Sequence, residues 1–234
     1  MTKLQTHAHA AVGLEAPCPS GLTAPMTPPD ESLALQSVAN AAARLFRAYE
    51  AHSRSPGPDT LFHTLTAMHS LNDKLRKAEV QAFEHLEEFA ALKALRNFAH
   101  HQDEIDANVR VIPSPAVSDL AFLCLVRRDQ VEQAIETVGQ KWRAETRAAC
   151  ESRFHWYGEA VNINPCLFNF MVHAYEQLVV AGVKPDPASV EAFETSYQFE
   201  ARGGHAHLID GRMAGPAGRI EQMLTTIVAN LPSR

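Results

Sequence analysis

Residues 80–101 read VQAFEHLEEFAALKALRNFAHH. Val80, Phe83, Leu86, Phe89, Leu92, Leu95 and Phe98 recur at the interval that stacks side chains on one face of an α-helix. Between them stand Glu84, Glu87, Glu88, Lys93, Arg96 and Asn97, so the segment is amphipathic with a helical period. Its length, about 79 to 105, suits a helix of its own rather than the tail of the run before it.

The same pattern recurs on both sides. Leu61, Phe62, Leu65, Met68, Leu71 and Leu75 predict a helix over 59–77, opened by the break Ser55-Pro56-Gly57-Pro58 with Asp59 as a natural N-cap. Leu35, Val38, Ala42, Leu45, Phe46 and Tyr49 predict another over 33–53, behind the capping cluster Asp30-Glu31-Ser32. Residues 1–30 carry Pro17, Pro19, Pro25, Pro28 and Pro29 and no apolar period, which predicts a disordered tail.

Towards the C-terminus, Pro113 and Pro115 predict a loop over 107–117. Leu123, Val126, Val131, Ile135, Val138 and Trp142 predict helix over 118–150, and Asn164-Pro165 opens one over 165–181. Pro187 to Glu200 reads as a further helix, followed by a glycine-rich irregular stretch from Gly203 to Gly218. Ile220, Met223, Leu224, Ile227, Val228 and Leu231 share one face of a final helix over about 217–231, suited to packing on the bundle or to self-association. No sustained alternating run predicts a sheet. The expectation is an all-α bundle of five to seven helices: a tail (1–30), a bundle (31–182) and a C-terminal helical extension packed on it (183–234).

Composition agrees with that class and narrows the function. Apolar residues at 46% and charged residues at 21% are ordinary for a soluble globular chain, and only 11 glycines suit helices better than a turn-rich sandwich. The net charge of −6 argues against a protein that grips long stretches of nucleic acid by counterion release. Any RNA contact needs a local positive site on an acidic body. Cys18, Cys124, Cys150 and Cys166 are too scattered for a zinc site or disulfide framework and read as reduced thiols. No secretory signal pattern and no bilayer-length apolar stretch is visible, so the expected setting is cytoplasmic, with no membrane. Walker A, G-x-G-x-x-G, H-E-x-x-H and G-x-S-x-G patterns are all missing, which leaves no sequence support for a kinase, dehydrogenase, zinc hydrolase or serine hydrolase.

The residues that speak of chemistry lie at the end of the opening stretch: Arg96-Asn97-Phe98-Ala99-His100-His101. An arginine five positions before a histidine occurs three times, at Arg47/His52, Arg96/His101 and Arg202/His207, and only Arg96 is followed by a polar amide. The chemistry is coherent. A histidine takes or returns a proton near neutral pH, and an arginine fork grips phosphate oxygens and stabilises charge that builds in a transition state. On a regular helix Arg96 and His100 lie about 40° apart, whereas Arg96 and His101 lie about 140° apart. Helical geometry therefore pairs Arg96 with His100, and Lys93 falls on the same stripe. That stripe also reads as a solvated face with i,i+4 pairing.

This run resembles the arginine–polar–x3–histidine motif of the HEPN superfamily ribonucleases. The resemblance covers about 33–180, with only the motif specific. It implies a metal-independent endoribonuclease, without a cofactor, that cleaves RNA by 2′-hydroxyl attack in a stress or defence role and pairs two motifs across a homodimer. It assigns acid/base work to His101, phosphate binding to Arg96 and support to Asn97, with His100 beside them and Lys93 as an RNA contact. Members silenced by nucleotide transfer carry a tyrosine two residues past the histidine; here that position is Asp103, so such regulation is not expected. The alternative is a non-catalytic HEPN-like adaptor that binds a protein partner or a nucleotide.

Other histidines carry weaker signals. His205 and His207 stand in a glycine-rich stretch that reads as an anion loop or a flexible surface loop. His63, His69 and His85 flank core stripes and read as structural. Arg153, His155, Trp156 and Tyr157 suit either core packing or stacking on a base.

Overall fold

A computed structural model of the chain describes residues 28–105, 107–111 and 122–211. Helix α1 (Pro28–Arg54) and helix α2 (Pro58–Lys77) form an antiparallel pair. Gly57 and Pro58 make the turn: the Gly57 amide donates to Thr60 Oγ1 at 3.0 Å, and the Thr60 hydroxyl returns a bond to the Gly57 carbonyl at 3.0 Å. At its other end α2 stops at Ala78. Glu79 takes a left-handed conformation (φ 55°), which lets the Val80 amide reach back to the Leu75 carbonyl at 3.0 Å.

The helix expected over 79–105 is shorter than its apolar period. Asn72 on α2 accepts from the Phe83 amide at 2.7 Å and donates to Glu84 at 2.8 Å, which fastens a single 3-10 turn, Phe83–His85, against α2. Helix α3 begins after that turn and spans Glu87–His101. Val80, Phe83 and Leu86 face the core from the turn and not from a helix. Phe83, Phe89 and Phe170 meet there, with Phe83 edge-on to Phe170 at 5.1 Å. Truncating one of these rings to alanine costs about 3–5 kcal/mol.

The molecule is a helical bundle of seven α-helices among the described residues, and it also carries a four-stranded antiparallel sheet that the period analysis did not anticipate. Its strands are β1 (Ala107–Val111), β2 (Phe122–Arg127), β3 (His155–Tyr157) and β4 (Ala160–Asn162), in the order β1-β2-β4-β3. Val126 pairs with Ala107 on one side and with Val161 on the other. The helix expected over 118–150 is thus replaced by β2, then helix α4 (Arg128–Thr137) and helix α5 (Gln140–Arg153), with Val138 extended and Gly139 at the break. The loop expected over 107–117 begins as β1. The cause is burial: Leu123, Cys124, Leu125 and Val126 are all fully buried, and a strand covered on both faces shows a continuous apolar run that period alone cannot separate from a helix.

Helix α6 (Asn164–Val180) and helix α7 (Pro187–Gly203) match the expected helices. One contiguous apolar core runs from Val38 on α1 to Val190 on α7. Phe193 on α7 packs against Phe46 and Tyr49 of α1, so α7 joins the same core. The expected tail falls mainly on residues 1–27, and the helix expected over 217–231 falls beyond residue 211; both lie outside the described residues. Helix α3 is central, touching α2, α4, α5 and α6. Its outward arc carries the candidate site.

Candidate functional site

Ala91, Leu92, Ala94, Leu95 and Phe98 bury most of the circumference of α3. The remaining arc, about 140° wide, holds Lys93, Arg96, Asn97, His100 and His101. Lys93, Arg96 and Asn97 are half-buried, while His100 and His101 are exposed in the last helical turn. The five residues singled out in the sequence therefore share one face, with Arg96 at one edge and His101 at the other.

Within that face the contacts are few. Arg96 Nη1 donates to Asn97 Oδ1 at 3.2 Å, while Arg96 Nε is buried without a hydrogen-bond partner. A guanidinium so placed is positioned by its neighbours but not saturated. Lys93 Nζ sits 5.7 Å from the centre of the Phe89 ring. The His100 and His101 rings meet edge-to-face at 4.6 Å. No hydrogen bond to a described residue fixes either ring.

Sequence reasoning missed what faces this arc from α2. His69 had read as a structural histidine; its Nδ1 instead lies 3.4 Å from Asp73 Oδ2, one helical turn on. Burial holds the His69 imidazole below its ordinary pKa, Asp73 pulls it up, and the positive charges of Arg96 and Lys93 push it down again. His69 and Asp73 thus belong to the same electrostatic neighbourhood as Arg96. The signal available in the sequence was their i,i+4 spacing, which carries no information about a partner helix.

The weaker sequence candidates sort clearly. Trp156 donates its indole N–H to the Cys150 carbonyl at 3.3 Å and lies under Arg128 at 5.4 Å, contacts that hold the half-buried ring against the end of α5 and the start of α4. Gly211 abuts the His155 ring and Pro165, where an added Cβ would fall 2.5 Å from His155 Nε2. His207 stacks on Tyr197 at 3.6 Å and approaches Glu200 at 3.1 Å; it is anchored and not part of a free loop. Cys124, Cys150 and Cys166 are buried free thiols, with burial pushing the first two up to about 12. Among the described residues no three His, Cys, Asp or Glu side chains are grouped to hold a metal ion, and no helix is long and apolar enough to cross a membrane.

The arrangement can bind an anion at Arg96 and Lys93 and can move protons through imidazoles at two places, the end of α3 and His69. No family model, no curated protein and no solved structure matches this chain.

Proposed function

We propose that the chain is a HEPN-type endoribonuclease that cleaves RNA without a metal, acting as a homodimer in the cytoplasm in a stress or defence response. The observation that carries this reading is the Arg96 guanidinium, half-buried on the outward arc of α3 and tethered to Asn97 through one hydrogen bond from Nη1. Such a cation gains most from an anionic oxygen that completes its hydrogen bonding. Lys93 adds charge on the same face.

In the proposed reaction a ribose 2′-hydroxyl attacks the adjacent phosphorus. An imidazole accepts the hydroxyl proton, a second protonates the departing 5′-oxygen, and a 2′,3′-cyclic phosphate remains. Arg96 stabilises the charge that gathers on the phosphoryl oxygens, and His101, with His100 beside it, handles a proton. His69, which burial disposes towards the neutral form, is suited to accept one. Arg96 and His101 stand at opposite edges of the arc, and two copies that each lend one side of a crevice would bring one of each to the same phosphate.

Purified wild-type chain is incubated with RNA in the presence of a metal chelator, beside Arg96→Ala, His101→Ala and His69→Ala. Accumulation of cyclic-phosphate ends with wild type, lost by at least about a hundredfold in Arg96→Ala, is the expected result. Intact RNA with every protein, and equal growth of bacteria expressing wild type or Arg96→Ala, overturns it. One observation favours a second reading, a non-catalytic adaptor for a protein partner or nucleotide: among the described residues none gives His100 or His101 the orienting hydrogen bond that a general base ordinarily receives.

A further inference from the structure

Helices α1, α6 and α7 leave between them an open-mouthed cavity of about 230 Å³. Phe46, Tyr49, Phe168, Val172, Phe193 and Tyr197 supply its large apolar and aromatic side chains. The rings are continuous: Phe193 lies 5.3 Å from Phe46 and 6.3 Å from Tyr49, and Tyr175 links Phe193 to Tyr197 at 5.6 and 4.9 Å. The space exceeds the roughly 150 Å³ of an apolar cavity that accepts benzene, so it suits a compact organic molecule rather than a nucleotide. No residue of α3 lines it, which separates it from the Arg96 face.

Charge selects among such molecules. The ionisable carboxyl groups on the wall are Glu50 and Glu200, and no Lys, Arg or His among the described residues lines it. Glu50 meets Arg54 at 2.6 Å, but Arg54 is 77% exposed and such a pair yields readily. Glu200 is held by His207, a partner without a fixed charge. The faces of the aromatic rings carry negative potential of their own. An anion is repelled here, and a neutral molecule has no use for the two carboxylates.

We propose that this cavity binds a small organic cation, a tertiary or quaternary amine with a compact apolar body. The ammonium group rests against the Tyr49, Phe193 and Tyr197 rings, with Glu50 and Glu200 balancing its charge from the rim.

Calorimetric titration of the full chain with benzyltrimethylammonium, choline and 3,3-dimethylbutan-1-ol, the uncharged isostere of choline, tests this. The two cations are expected to bind saturably, with choline at least tenfold tighter than its isostere. The Glu50→Gln/Glu200→Gln double variant preserves shape and is expected to weaken both cations at least tenfold while leaving the isostere unchanged. Absence of saturable binding of either cation at millimolar concentration, equal binding of the isostere, or undiminished binding by a folded double variant overturns the proposal. If the double variant does not fold, the comparison of choline with its isostere on the wild-type chain still decides.

Discussion

The Nδ1 of His52 lies 3.0 Å from Thr60 Oγ1 and so ties the end of α1 to the first turn of α2 across the Ser55–Gly57 bend. His52 is fully buried, and burial lowers its pKa from 6.5 to about 4. The folded state therefore resists a proton that the unfolded chain accepts. The stabilisation is complete above pH 6.5 and is lost as pH falls from there towards 4, to a total of at most about 3 kcal/mol. His52→Gln keeps a polar partner for Thr60 but cannot titrate. Its urea-unfolding free energy is expected to change less steeply than wild type between pH 6.5 and 4, and parallel pH profiles would refute the assignment.

Asn162 is the pin of the sheet. Its Oδ1 accepts from the Cys124 amide and from the Asn164 amide, both at 3.1 Å, in a fully buried position. Asn162→Ala strands two buried backbone donors, each worth about 1–3 kcal/mol, so a loss of roughly 2–6 kcal/mol is expected in chemical denaturation. A change below about 1 kcal/mol would mean that water replaces the side chain at no cost.

How much of this was legible in the sequence depends on which force set each element. Helices α2, α6 and α7 follow from apolar period and from Pro58, Pro165 and Pro187 near their first turns, all local signals. Strand β2 was not legible, because Leu123 and Val126 fit a helical spacing as well as a doubly covered strand; the deciding partners, Val161 and Ala107, lie far away in sequence. Helix α3 lost its first two turns to a bond from Asn72, again a distant residue. For the site, helical spacing put Lys93, Arg96 and His100 on one stripe and His101 about 140° from Arg96, an arrangement that α3 keeps because it runs unbroken to His101. The approach of His69 depends on how α2 packs on α3, which no spacing within either helix encodes.

Arg96 is where the proposed activity and the stability of the fold can be told apart. Removing its side chain loses packing of the aliphatic stem but also relieves a buried donor that has no partner. Arg96→Ala is expected to unfold within about 1 kcal/mol of wild type while abolishing RNA cleavage. On the buried side of the same helix, Leu95→Ala is expected to cost about 2–5 kcal/mol, because Leu95 is fully buried. Thermal melts of the two variants check the contrast. If Arg96→Ala destabilises as much as Leu95→Ala, the arginine is a structural residue and its loss of activity says nothing about phosphate.

The neighbourhood of His69 gives the most direct test of the site's electrostatics. Burial is the largest influence on His69 and lowers its pKa; Asp73 at 3.4 Å raises it, Arg96 and Lys93 lower it, and Glu84 raises it. Neutralising a cation on α3, as in Arg96→Gln or Lys93→Gln, removes repulsion and is expected to raise the His69 titration midpoint. Asp73→Asn removes attraction and is expected to lower it. Proton NMR of the His69 ring against pH reads both directions without requiring any catalytic activity. An unmoved midpoint in Arg96→Gln would place Arg96 too far from His69 for the two to share a phosphate, and the acid/base work would then fall to His100 and His101 alone.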